Sequence, residues 1–78
     1  GGSMQFITYK ASYGHYWEPV DHPYILMREL RKKPDGVDMW VCIDHRSFGQ
    51  IVVEAGTQTK CVQRLIKYLD STGWSINS

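Results

Sequence analysis

Seventy-eight residues suit one domain, and a chain this short buries only about 60% of its unfolded surface, which leaves a thin stability margin. A net charge of +1 gives no strong pull toward nucleic acid or membrane, and two cysteines are too few for the disulfide framework of small secreted domains. No apolar run approaches the roughly 20 residues that span a bilayer, so a reduced, cytoplasmic protein without membrane association is the expectation.

Residues 1–3 (GGS) read as a cloning scar ahead of Met4, leaving residues 4–78 as a single α+β domain. Residues 4–11 (MQFITYKA) predict a strand with apolar groups on both faces. Residues 12–19 (SYGHYWEP) have the composition of a binding loop, because Tyr, Ser, Gly and Trp supply rigid contact area at low entropic cost. The competing reading folds Tyr13, Tyr16 and Trp17 back as a lid over the sheet.

Residues 21–33 (DHPYILMRELRKK) predict a helix. Pro23, Leu26, Met27 and Leu30 make an i, i+3, i+4, i+7 stripe, Asp21 caps the start, and Arg31 to Lys33 complement the C-terminal dipole. Residues 33–36 (KPDG) then turn the chain. Residues 37–44 alternate Val37, Met39, Val41 and Ile43 against Asp38, Trp40, Cys42 and Asp44, and residues 50–55 continue as a second strand after a polar turn. The aliphatic set of the first strand is the expected inner face, which leaves Trp40 on the open side of the sheet. The period then changes: Val62, Leu65, Ile66 and Leu69 form the apolar stripe of a second helix, with Thr57 or Thr59 as N-cap and Gly73 at its end. Residues 74–77 suit a short closing strand.

Two helices on one face of a small antiparallel sheet, in a ferredoxin-like β-α-β-β-α-(β) order, accommodate these elements. The alternative is a three- or four-stranded meander in which residues 24–32 are a strand and one C-terminal helix remains.

No diagnostic catalytic or cofactor motif is present, and the expectation is a protein that is not an enzyme. Cys42, Cys61, His15, His22 and His45 include zinc-ligand types, but the paired spacing of a structural site is missing, so no metal is expected. Asp21-His22 and Asp44-His45 are adjacent pairs, and neighbours on a strand point to opposite faces, which argues against an aspartate orienting its own histidine.

Two binding readings remain. Lys60, Arg64 and Lys67 line one helical face, and Arg28, Arg31, Lys32 and Lys33 add a second basic group, so single-stranded RNA stacked on Trp40 is the alternative function. The leading reading is a non-catalytic protein-binding module, because aromatic residues dominate interface energy and gather here at Tyr13, His15, Tyr16, Trp17 and Trp40. An exposed Trp40 also suits a homodimer made by stacking two open sheets. At Met4, Phe6, Ile7 and Tyr9 the opening MQFITYKAS resembles the start of a small anti-CRISPR protein of the type I-F kind. That resemblance covers a few residues at one terminus and implies a phage-type inhibitor that occupies a host protein's functional surface.

Overall fold

The computed structural model describes residues 4–12, 14–31 and 38–72, with the side chains of Arg31 and Asp38 outside that description. Five strands, β1 (Phe6–Ala11), β2 (Gly14–Pro19), β3 (Ile25–Arg31), β4 (Asp38–Asp44) and β5 (Gln50–Ala55), precede one helix, α1 (Gln58–Thr72). The strands form a single sheet in chain order, every neighbouring pair antiparallel. Helix α1 packs on β4 and β5. The α+β class is as the sequence predicts, but the ferredoxin-like order with two helices is not what forms. The alternative, a meander with one C-terminal helix, is nearer, and the sheet has one strand more than it allowed.

Two segments account for the difference. The described part of the expected helix, residues 21–31, is not helical; within it β3 pairs with β4 along its whole length, from Ile25↔Asp44 to Arg31↔Asp38. An isolated helix of that length is marginal in water, whereas β3 lies between β2 and β4 and is apolar at consecutive positions. Ile25 and Met27 are fully buried on one face while Leu26 and Leu30 are half-buried on the other, the pattern of a central strand that also satisfies a helical stripe by coincidence. The expected binding loop, residues 12–19, is also mostly strand. Its ladder to β1 runs from Phe6↔Pro19 to Ala11↔Gly14. Gly14 sits at φ +120°, a conformation that a side chain would strain.

The β4–β5 hairpin and α1 form as their periodicities predict. Thr57 caps the helix, its hydroxyl accepting the Lys60 N–H at 3.2 Å. Cys61, Leu65 and Leu69, one helical turn apart, are its buried residues, and Val62 and Ile66 flank them half-buried. Together with Ile25, Met27, Cys42, Val53 and Ala55 they make the core. The turn at 33–36, the helix stop at Gly73 and the closing strand at 74–77 lie outside the described residues.

The faces of β4 are the reverse of the expected ones. Cys42 meets Cys61 of α1, and Trp40 packs against the same core cluster, so Trp40, Cys42 and Asp44 face the helix. Met39, Val41 and Ile43 face the open side, where Val41 is buried yet stands outside the core cluster. A register shift between Cys42 and Ile43 inserts an extra residue of β5 and brings Ile51 opposite Ile43, onto the open face.

Candidate functional site

Because β2 is a strand, alternation divides the aromatic residues that the sequence placed in one loop. His15 and Trp17 lie on the helix side, and Tyr16 lies on the open side. Trp17 does not stand apart from the core; it packs against it, and its ring meets that of Trp40 with centroids 5.0 Å apart and planes tilted by 55°. His15 lies further along, its ring 6.4 Å from Trp17, where Gly14, His15, Trp17 and Glu29 line a shallow depression. Trp40 is therefore not an open-face stacking platform, and a homodimer built on it loses its basis. Tyr13 lies outside the described residues.

The position of Trp40 sets a first expected outcome. Trp40→Ala should destabilise the fold by about 2 kcal/mol, below the usual range for a fully buried tryptophan because the ring is only half-buried. Chemical denaturation measures it, and a change under about 0.5 kcal/mol, the scale of a surface substitution, would show that the ring contributes no packing.

The basic residues do not converge either. Lys60, Arg64 and Lys67 sit on the exposed outer side of α1 and border one shallow depression with Gln63. Arg28 is on the opposite face of the sheet, where it pairs in register with Val41. Arg64 is already engaged, donating from Nη1 to the backbone carbonyl of Glu54 on β5. The side chain of Arg31, and Lys32 and Lys33 entirely, lie outside the description.

Two surfaces emerge that the sequence did not single out. The first is a polar cluster at the end of the sheet where β4 turns into β5. Asp44 is fully buried. Its carboxylate accepts the Arg46 backbone N–H at 2.8 Å, the Arg46 Nε at 3.3 Å and the Tyr68 hydroxyl at 3.0 Å. The Arg46 guanidinium lies 3.4 Å above the Tyr24 ring, a cation–π contact, and the Tyr24 hydroxyl is 3.3 Å from His22 Nδ1. Burial, and then the bond to Asp44 and its negative charge, push the Tyr68 pKa up against the opposing effects of Ser47 and Arg46. Its members are partnered with one another, which locks the hairpin to α1. Among the described residues, no three or more His, Cys, Asp or Glu side chains gather as a metal site would require.

The second is the open face. One row crosses all five strands as Tyr9↔Tyr16, Tyr16↔Arg28, Arg28↔Val41 and Val41↔Glu54. Tyr9 and Tyr16 stack with centroids 5.0 Å apart and planes 15° from parallel. The next row holds Ile7 opposite Glu18, then Leu26 opposite Ile43, and Ile43 opposite Ile51. Ile7 is 43% exposed, Tyr9 36% and Ile51 44%. At the end of the sheet nearest this row stand two further exposed apolar residues, Val20 and Phe48. Phe48 is 96% exposed and takes a left-handed backbone at φ 61°, a strained conformation for a bulky residue.

These features define a class by architecture alone: among the described residues, a five-stranded antiparallel meander with a helix on one face and none on the other. Comparison with known proteins adds no family to that class, since no family model, no curated protein and no solved structure matches the chain.

Proposed function

We propose that this protein is a small, non-catalytic binding module that acts by occupying a partner protein's surface, and that it does so with the open face of its sheet. The observation that carries this reading is the row across that face, apolar except at Glu18, with exposed Ile7 and Ile51 at its two edges and half-buried Leu26 and Ile43 between. Helix α1 lies on the opposite side of the sheet. Stacked Tyr9 and Tyr16 with Arg28, Glu18 and Glu54 give the face a mixture of aromatic anchors and charge of the kind that protein interfaces use. Phe48 supports the same reading, because a strained, fully exposed phenylalanine adds nothing to the core. A phage-type inhibitor of a host protein is the particular form that the N-terminal resemblance suggests.

The test compares wild type with the Ile7→Glu, Ile51→Glu double variant in capture from host lysate, with and without nuclease. Wild type should retain a protein regardless of nuclease. The variant should lose at least about 2 kcal/mol of affinity, some thirtyfold, with its thermal midpoint nearly unchanged because both positions are exposed. Equal capture by the variant would remove the open face from the reading. Capture that disappears with nuclease would instead favour single-stranded nucleic acid as the ligand.

A further inference from the structure

We propose that Cys42 and Cys61 are a disulfide-forming site, which a low-molecular-weight disulfide such as oxidised glutathione closes, tying α1 covalently to the sheet. Cys42 lies in β4 and Cys61 in the second turn of α1, both are free, and both are fully buried at the centre of the core. Their sulfur atoms are 3.4 Å apart, so closure to a bond of about 2.05 Å asks the two to approach by roughly 1.4 Å. They come from elements on opposite sides of the core layer and are separated by a hairpin and a helix start, so a bond between them staples the helix onto the sheet.

In the closed core the two thiols share one hydrogen bond. The hydrogen bond from Cys42 favours the thiolate of Cys61, and the charge of Arg64 adds to this, together outweighing burial; the same bond holds the proton on Cys42. Lifting α1 to admit glutathione disulfide parts the two sulfurs, so either can attack first; one route starts from Cys61. Its thiolate attacks one sulfur of glutathione disulfide and expels a glutathione thiolate, which takes up the proton that Cys61 released. Cys42 then loses its proton, attacks the Cys61 sulfur of the mixed disulfide and expels the second glutathione. Two thiols and one disulfide become one protein disulfide and two glutathione thiols, with two electrons passing to glutathione. Burial of both sulfurs means that the first attack needs α1 to lift. In a reducing compartment the pair stays open; in an oxidising one it closes. This inference rests on the core alone and is independent of the proposed binding surface.

The experiment equilibrates the wild-type protein over a series of oxidised-to-reduced glutathione ratios in moderate urea, which lets the helix open. Acid then quenches the exchange, intact mass is read, and thermal midpoints are measured after the urea is removed. The expected result is loss of two hydrogens without a glutathione adduct, and a midpoint raised by roughly 10 °C or more, from the closed loop and the size of the domain. Cys61→Ser should show no such mass loss. Glutathione adducts without a bridge, no reaction at any ratio, or a bridged protein that melts at or below the reduced one would each overturn the proposal.

Discussion

Leu65→Ala lowers the unfolding free energy by about 4 kcal/mol and the thermal midpoint by roughly 15 °C or more. Leu65 is fully buried and lies midway between Cys61 and Leu69 on the inner side of α1, in the same cluster as Ile25, Met27, Cys42 and Val53. Among the described residues α1 is the only α-helix, so the cavity opens under the element that packs on this face of the sheet. A 78-residue chain holds roughly 4–12 kcal/mol in all, which makes this loss a large part of its stability. Lys67→Ala, on the exposed side of the same helix, should stay within about 0.5 kcal/mol. Urea titration of both variants provides the comparison, and a Leu65→Ala loss below about 2 kcal/mol would mean that the helix is not held by this seam.

Asp44→Ala should have the next largest effect, a loss of about 3 kcal/mol, because several charge-assisted bonds disappear together. The carboxylate caps the short 3₁₀ turn His45–Ser47 through the Arg46 N–H. It also holds the partly exposed Arg46 guanidinium and receives the Tyr68 hydroxyl from α1. Tyr68→Phe removes only the last of these bonds and should lower stability by about 1 kcal/mol. The two substitutions share a partner, so their combined loss should fall short of the sum. Strict additivity in a double-mutant cycle would mean that hairpin and helix are not coupled through Asp44.

Both residues bear on what the sequence makes legible. Leu65 was readable, since Val62, Leu65, Ile66 and Leu69 recur at helical spacing and nothing competes with that pattern. The β4–β5 hairpin was readable for the same reason, at a period of two. Asp44 was not. An aspartate alternating with aliphatic residues reads as outward, and only Arg46 and Tyr68, the latter 24 residues further on, make its burial favourable. Its facing carried Trp40 and Cys42 to the core side with it. Strand β3 was misread because apolar residues at 25, 26 and 27 satisfy a helical stripe and a two-faced strand equally, and pairing to both neighbours decides between them. Strand β2 was misread through composition: Tyr, Gly, His and Trp suggest a loop, although His15 and Trp17 alternate with Tyr16 and Glu18 as a strand requires. An open face was legible but its membership was not, because its residues come from five strands and meet only through register.

The two borders of the sheet differ in a way that limits how far it can grow. At β5 the register shift distorts the strand, and Arg64 occupies the carbonyl of Glu54, both devices that discourage a further strand from docking. Strand β1 carries neither, and among the described residues it pairs only with β2. In polymer terms, the described residues give the sheet one blunted end and one end without such a device. Two copies that met through β1 would turn their blunted β5 borders outward, an arrangement that favours a closed pair over a growing fibre.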